Sequence, residues 1–161
     1  MEQFDLMSIV IREGKKEDVP ALLQLIKALA VYEKAPNEVE VTEEELLKDG
    51  FGEHPIYHLI VAEKDQNIIG IALYYYKYST WKGRCLYLED FVVEESYRQH
   101  GVGTRLFKAV REVAKREHVK RMEWQVLEWN EPAIEFYKKE AADLDSEWLN
   151  GRLVYEQLQG S

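Results

Sequence analysis

Apolar residues recur every three to four positions in several stretches of the chain, which predicts amphipathic helices. The first helix begins at about Glu17 and has Pro20 in its first turn, where proline is tolerated. The second opens at Thr42, which forms a capping-box sequence with Glu45 three residues later. A third spans 103–117, and "PAIEFYKK" (132–139) predicts a fourth. The apolar positions of the first and third helices are Val19, Leu22, Leu23, Ile26, Leu29 and Ala30, and Leu106, Phe107, Val110 and Val113.

Shorter stretches show the alternating or continuous apolar pattern of strands. Asp65, Gln66 and Asn67 separate two of them and predict a hairpin turn, and glycine and proline at 49–55 predict a loop. The stretch at 84–93 is apolar almost throughout and predicts a central strand. A meander followed by strand–helix–strand units indicates an α/β (α+β) fold with a mixed sheet. The predicted strands are "SIVIREG" (8–14), "YHLIVAEK" (57–64), "IIGIALYYYKY" (68–78), "RCLYLEDFVV" (84–93), "RMEWQVL" (121–127) and "RLVYEQL" (152–158).

Composition narrows the class of protein. The chain has 161 residues, of which 46% are hydrophobic, so we expect one globular domain over 8–161. Residues 1–7 are expected to be a flexible extension, because Met7 is a second plausible start. The net charge of −9 disfavours a nucleic-acid partner and is compatible with a cationic substrate. No apolar run approaches the roughly 20 residues of a membrane span, so no membrane partner is expected.

Cysteine usage, the N-terminal segment and the histidines add three expectations. Cys85, the single cysteine, has apolar and aromatic neighbours and is interpreted as a buried packing thiol. The first six residues lack the basic start of a signal peptide, and both observations favour a cytoplasmic location. The histidines lack metal-ligand spacing, so no metal site is expected. They are His54, His58, His100 and His118.

The stretch "YRQHGVGTRL" (97–106) lies between a predicted strand and a predicted helix. Gly101 and Gly103 can adopt positive φ and allow a ligand to approach the backbone N–H groups at the helix start, with Arg98 as a further phosphate donor. A glycine-rich turn that merely starts a helix is an equally good interpretation of these glycines alone. A P-loop is excluded because Thr104 and Arg105 follow Gly103, and a Rossmann loop because its third glycine is absent.

Residues 98–103 resemble the R/Q-x-x-G-x-G/A motif of the GNAT superfamily of N-acetyltransferases. The stretches "YEK" (32), "DGFGEHPIYH" (49), "YYYKYSTWKG" (74), "YLEDFVV" (87) and "EWNEPAIEFYKK" (128) resemble its diamine acetyltransferase branch, which includes spermidine/spermine and thialysine acetyltransferases. The resemblance extends from Ser8 to about Leu144. It implies a mixed, mainly antiparallel central sheet flanked by helices, with acetyl-CoA bound at the strand–loop–helix around residues 91–104. It also implies a homodimer.

The resemblance assigns the cofactor-binding residues. Main-chain groups of the central strand would pair with the pantetheine arm, the glycine loop would hold the pyrophosphate, and the start of the last predicted helix would lie along CoA. Asn130 is also in position to cap that helix, and the two roles are compatible. The implied residues are Phe91, Val92, Val93, Arg98, Gln99, His100, Gly101, Val102, Gly103, Thr104, Asn130 and Ala133.

Acetyl transfer requires a neutral amine and a proton for the departing thiolate. The resemblance implies that Glu89 draws in the cationic amine and accepts its proton, and that Tyr137 protonates the thiolate. A structural ion pair for Glu89 and a core packing position for Tyr137 are the alternatives. Because adjacent side chains of a regular strand point to opposite faces, we expect at most one of Glu89 and Asp90 to face the cleft.

The resemblance also implies the acceptor site and an acceptor class. Ser79 and Thr80 are neutral where polyamine enzymes commonly carry an acid before the tryptophan, which favours a thialysine-type amine. After Tyr137 the chain is one residue shorter than the family pattern, so the register of Glu147 and Trp148 stays open. The implied substrate-binding residues are Tyr32, Glu33, Trp81, Glu89, Asp90, Glu123, Trp124 and Gln125.

These observations predict an acetyl-CoA-dependent N-acetyltransferase that acts on a primary amine of a small molecule, either a thialysine- or lysine-like amine or a polyamine. Two alternatives remain open at this stage. A protein lysine or N-terminus could be the acceptor. The same fold could also serve as a non-catalytic acyl-CoA-binding module, since fold does not fix function, although the presence of both Glu89 and Tyr137 argues against it.

Overall fold

The computed structural model describes residues 4–160, which form two compact units divided between Gln125 and Val126. Of the predicted flexible extension, residues 1–3 lie outside the described residues. Phe4 stacks its ring on His100 with centroids 4.3 Å apart, and a short 3₁₀ turn follows at Leu6–Ser8. The segment from Phe4 onward is therefore part of the first unit and contacts it at His100.

The first unit contains the sheet and three long helices. Its elements in chain order are β1 (Val10–Glu13), α1 (Val19–Tyr32), α2 (Glu43–Phe51), β2 (His58–Lys64), β3 (Asn67–Ser79), β4 (Gly83–Val93), α3 (Val102–Arg116) and β5 (Arg121–Glu123). Single 3₁₀ turns at Lys16–Asp18 and Glu95–Tyr97 precede α1 and α3. The second unit contains α4 (Glu131–Lys139) and α5 (Tyr155–Gln159). Among residues 4–160, none of the helices combines the length and the apolar character that a membrane span requires.

The five strands form one sheet in the order β1-β2-β3-β4-β5. The first three pairings are antiparallel and β4 pairs with β5 in parallel. Asp65 and Gln66 form the β2–β3 turn with φ of 49° and 67°, the left-handed conformation that a tight hairpin requires. The predicted mixed, mainly antiparallel sheet flanked by helices is confirmed, and β4 is an inner strand, as its apolar sequence predicts.

Helices cover both faces of this sheet. Thr42 caps α2 by accepting a hydrogen bond from the Glu45 N–H at 3.1 Å, as the capping box predicts. Helices α1 and α2 lie on one face of the sheet and α3 lies on the other. A Cβ built on Gly70 would lie 3.5 Å from Leu106 of α3, so α3 packs closely on the strands. The core between α1, α2 and the sheet contains Val19, Leu22, Leu25, Leu46, Leu59, Val61, Ile71, Leu73 and Val92.

A partly buried ion pair holds β1 to the start of α1. Both terminal nitrogens of Arg12 donate to the Asp18 carboxylate, at 2.8 and 3.0 Å, and the Lys15 N–H donates to the same carboxylate at 2.7 Å. Burial on its own would raise the pKa of Asp18, but these hydrogen bonds outweigh it and lower that pKa. Asp18 therefore stays ionised where the chain turns from strand to helix.

Three element predictions are wrong. Residues 152–158 do not form a strand, because 155–159 form α5, whose start is capped by Gln157 accepting the Val154 N–H at 3.0 Å. The predicted loop at 49–55 begins later, since α2 continues to Phe51. The strand predicted over 121–127 contains only 121–123, so among the described residues no strand continues beside the rest of β4.

Candidate active site

The glycine loop ends in a sharp turn that exposes the start of α3. Gly101 is the N-cap residue with φ of 88°, and within the described residues no side chain caps this helix. The first helical hydrogen bond is donated by Arg105 N–H to Gly101 O at 3.1 Å. The N–H groups of Val102, Gly103 and Thr104 therefore have no acceptor within the helix and lie at the positive end of its dipole. Such a terminus binds anions.

The two glycines have different conformations. Only Gly101 has positive φ, and the second left-handed residue of the loop is Gln99 with φ of 66°. Gly103 is helical, and a Cβ there would make ordinary contacts with Phe91 at 3.7 Å and Val93 at 3.8 Å. Gly103 therefore does not use the positive φ that glycine can adopt. Its lack of a Cβ instead leaves space between the helix start and the side chains of Phe91 and Val93.

Two arginines fix the position of this loop. Arg98 donates from Nε to the Val93 carbonyl at 2.9 Å, and its guanidinium lies 5.1 Å from the centre of the Tyr32 ring. Arg105 donates from one terminal nitrogen to the carbonyls of Leu6 and Ile9, at 2.8 and 2.9 Å. The bond to Val93 leaves the terminal nitrogens of Arg98 as further donors beside the helix start, as phosphate binding would require.

The β4 strand has an edge without a partner strand next to this loop. β5 pairs only with Cys85–Tyr87, so within residues 4–160 no strand continues along that edge toward Phe91, Val92 and Val93. A strand edge that no other strand covers can receive an extended ligand by β-type hydrogen bonding. On this edge the Val93 carbonyl already accepts from Arg98. The early end of β5, which the sequence did not predict, creates this opening.

A β-bulge interrupts β4 at the acidic pair. Tyr74 pairs with Leu88 and its neighbour Leu73 pairs with Asp90, so Glu89 is an extra residue opposite their junction. A bulge changes the direction of side chains. The Glu89 carboxylate accepts a hydrogen bond from the Tyr75 hydroxyl at 3.1 Å. Asp90 pairs with Leu73 of the α1-side core.

The expectation that at most one of the two acids faces the cleft is therefore wrong, because it assumed a regular strand. Both lie on the α1 side of the sheet. Burial, together with the charges of Glu89 and Glu33, raises the pKa of Asp90 to about 6. Burial also raises the pKa of Glu33, the residue that ends α1. The three carboxylates thus form a negative cluster suited to a cationic group.

The other residues predicted to contact substrate are dispersed. Trp81 is 83% exposed in the β3–β4 turn, at the opposite end of β4 from the acidic pair. Trp124 packs edge-on against Phe107 of α3, with centroids 5.5 Å apart. Glu123 forms ion pairs with Lys77 and Arg121, and Gln125 is exposed.

Sequence reasoning missed residues that share the face of the acidic pair. The Tyr75 and Tyr87 rings are in contact with centroids 5.4 Å apart, and Lys77 lies over Tyr87. Burial, followed by the charge and hydrogen bond of Glu89, raises the pKa of Tyr75 to about 12, so its hydroxyl stays a donor to Glu89. The two-residue spacing of Leu73, Tyr75 and Lys77 on a strand was the available signal.

The second unit contains the remaining predicted residues. Asn130 is buried and accepts a hydrogen bond from the Ala133 N–H at 3.3 Å, which confirms the predicted cap of α4. Tyr137 is buried on the same helix, and its ring meets Phe136 edge-on with centroids 5.5 Å apart. Glu147 and Trp148 lie in an exposed segment without regular structure. Among the described residues, no group of three His, Cys, Asp or Glu is placed to hold a metal ion.

Comparison with known proteins defines the class. The chain matches the acetyltransferase (GNAT) family over residues 19–141. It is 44% identical over 138 residues to the thialysine N-epsilon-acetyltransferase of Bos taurus, which corresponds to 81% of each chain. It is 36% identical over 168 aligned positions to the spermidine/spermine N(1)-acetyltransferase-like protein 1 of Homo sapiens, covering 98% of this chain and 24% of that one. A solved aminoglycoside N-acetyltransferase in complex with CoA gives a TM-score of 0.73 at 19% identity, over 90% of this chain and 94% of that chain.

The chain therefore belongs to the GNAT family of acetyltransferases. It is an N-acetyltransferase, and the predicted family, fold and class of reaction are confirmed. Acetyltransferases of this family use acetyl-CoA, and the structural neighbour contains CoA.

Proposed function

We propose that this enzyme transfers the acetyl group of acetyl-CoA to the terminal amine of a small lysine-like acceptor such as thialysine. The observation that carries the proposal is the bulge at Glu89. It places Glu89 and Asp90 on one side of the sheet, next to Glu33. The two acids directly precede the open edge of β4, where the acetyl donor is expected. Amine and thioester would then meet at one point.

The described residues fit CoA as a ligand. The uncapped N–H groups of Val102, Gly103 and Thr104, with the terminal nitrogens of Arg98, match a pyrophosphate. The edge of β4 at 91–93, beside which none of the described strands lies, is proposed to receive the amide-bearing pantetheine arm. When bound, acetyl-CoA supplies an activated acetyl thioester. The protein residues orient that thioester, bind the amine and move two protons.

The Glu89–Asp90 pair is proposed to accept the amine proton. A free alkyl amine has a pKa near 10, so it arrives as a cation and is attracted by the three carboxylates. Asp90, with its pKa near 6, is closer to the range of an effective base at neutral pH than an ordinary carboxylate. After deprotonation the amine nitrogen bonds to the carbonyl carbon and releases its second proton to water, and the carbon–sulfur bond breaks. Tyr137 is proposed to donate its hydroxyl proton to the thiolate and to regain a proton from water.

The acceptor is proposed to be lysine-like because Ser79 and Thr80 supply no negative charge for a polycation, and because of the bovine relative. A homodimer and a cytoplasmic location remain part of the proposal. Exposed large apolar side chains in the C-terminal segment support the homodimer, since patches of this kind mark association sites. They are Leu144, Trp148, Leu149, Leu153, Val154, Tyr155 and Leu158.

The experiment is a release assay for the CoA thiol with acetyl-CoA and a panel of acceptors: thialysine, lysine, spermidine, spermine and a lysine-containing peptide. We expect the highest kcat/KM for thialysine. If spermidine or spermine exceeds it more than tenfold, the polyamine function replaces this one. Turnover of the peptide alone would establish a protein acceptor, and CoA binding without turnover of any amine would establish a binding module.

A further inference from the structure

The α1-side face of the sheet continues beyond the acidic pair in two further rows of side chains. The register places Tyr75, Tyr87 and Glu123 side by side on β3, β4 and β5. The next row contains Lys77 on β3 and Arg121 on β5, with the buried Cys85 between them. Rows on the same face are two residues apart, about 6.6 Å along a strand. Along β3 and β4 the face therefore changes from acidic, through aromatic, to basic, with Glu123 of β5 beside the aromatic row.

Contacts between the rows show that they form one surface. Tyr75 donates its hydroxyl to Glu89 at one end and contacts the Tyr87 ring. The Lys77 ammonium lies 5.4 Å from the centre of the same Tyr87 ring. Burial, together with the charges of Glu89 and Glu123, raises the pKa of Tyr87. The tyrosine pair thus separates Glu89 from Lys77 without another charged residue between them on β3 or β4.

The basic row retains a positive charge. Lys77 Nζ is 3.2 Å from one oxygen of Glu123, and Arg121 Nε is 3.3 Å from the other. Two cations share one carboxylate, which leaves a net charge of +1. The Lys77 side chain is 41% exposed, so its ammonium retains donors for an incoming anion.

We propose that Lys77 determines acceptor specificity by binding the carboxylate of an amino-acid acceptor whose reacting amine lies at Glu89 and Asp90. The proposal rests on the proposed function, since it requires the amine to bind at that acidic pair. A zwitterionic acceptor with an amine and a carboxylate at opposite ends of a short aliphatic chain matches the order of charges on this face. The Tyr75 and Tyr87 rings would cover that aliphatic chain. A polyamine would instead bring a second cation toward Lys77, which is unfavourable.

Decarboxylated acceptors isolate this effect. Lysine and 1,5-diaminopentane differ only in the carboxylate, as do thialysine and bis(2-aminoethyl) sulfide. The measured quantity is the ratio of kcat/KM for the amino acid to that for its decarboxylated partner. For Lys77→Met, which keeps most of the side-chain length and removes the charge, we expect this ratio to fall about two- to fivefold, the size of a partly exposed charge pair. Lys77→Arg keeps the charge and should keep the ratio. Glu123→Gln removes the competing carboxylate and should raise it.

Lys115→Met is the matched control, because it removes the same charge from an exposed site at the end of α3, under the other face of the sheet. It should leave the ratio unchanged. CoA affinity, measured by calorimetry, should be equal in all variants and reports that each is folded. An unchanged ratio in Lys77→Met, with wild-type turnover of both acceptors, overturns this proposal and leaves the proposed function intact. If the wild-type enzyme turns over neither member of either pair, the proposed function fails and this proposal fails with it.

Discussion

Replacement of Asp90 by asparagine should stabilise the protein and impair catalysis. In the folded state, burial and the charges of Glu89 and Glu33 raise the pKa of Asp90 from 3.8 to about 6. A carboxyl whose pKa is higher in the folded than in the unfolded state stabilises the fold only when protonated, so its ionisation costs stability as pH rises from about 4 to about 6. The difference between the two pKa values corresponds to a loss of about 3 kcal/mol in the free energy of unfolding. Because Asp90 is partly accessible to solvent, which screens its charge, we expect its ionisation to cost about 1–3 kcal/mol of stability.

The asparagine amide does not ionise and avoids this cost. At pH 7.5, Asp90→Asn should raise the Tm by about 2–12 °C, since each kcal/mol shifts the Tm of a chain of this length by about 2–4 °C. At pH 4.5 the gain should be about one third as large. Glu112→Gln, at an exposed position of α3, makes the same change in net charge and should show no such pH dependence. A gain in Asp90→Asn that is absent, or equal at both pH values, would refute the reasoning.

Three further outcomes are expected. Gly103→Val should weaken CoA binding at least tenfold, because the larger side chain would keep a phosphate oxygen away from the N–H groups, and losing one charge-assisted hydrogen bond costs about 1.5–3 kcal/mol. Gly103→Ala, which the family motif tolerates, should bind normally, and equal calorimetric affinities of both variants would contradict the proposed phosphate site. Tyr137→Phe should reduce kcat by about 10²–10⁴-fold with little change in KM, and wild-type turnover would reassign Tyr137 to packing. Arg12→Ala should lower the free energy of unfolding by about 2–4 kcal/mol in urea titrations, because it leaves the Asp18 carboxylate buried without its partner; a change under 1 kcal/mol would show that Asp18 is well solvated.

Gly101 is a less suitable test of the phosphate site than Gly103. Its φ of 88° means that any side chain there is strained, at a cost of about 1–2 kcal/mol. A Cβ would also lie 3.3 Å from a methyl group of Leu6. Loss of CoA binding in a Gly101 variant would therefore mix altered folding of the loop with a blocked backbone.

The features that the sequence predicts correctly depend on neighbours along the chain. Pro20 and the Thr42–Glu45 pair define helix starts through local backbone chemistry, and Asp65 and Gln66 define a turn in the same way. The glycine loop belongs to this group as well, because a strand, two glycines and a helix follow one another directly. Such signals are complete within a few residues.

The features that were missed depend on pairing between distant segments. The bulge at Glu89 exists only relative to the register of β3, and the raised pKa of Asp90 depends on Glu33 at the end of α1. The alternation at 152–158 predicted a strand, but a strand needs a partner, and none of the described strands pairs with these residues. The positions of Trp124 and Lys77 on opposite faces likewise required the register of the whole sheet.

The bulge also has a genetic consequence. Upstream of it, Tyr87 faces the α1 side and Leu88 the other; downstream, Asp90 and Val92 face the α1 side while Phe91 contacts Phe107 of α3. Deletion of Glu89 would restore uninterrupted alternation and leave every core side chain of β4 on its present face. Glu89 is thus one residue more than the strand needs in order to fold. A single-codon insertion suffices to add a carboxylate to a strand that is already stable, and the reverse deletion should yield a folded protein that binds CoA and acetylates amines more slowly.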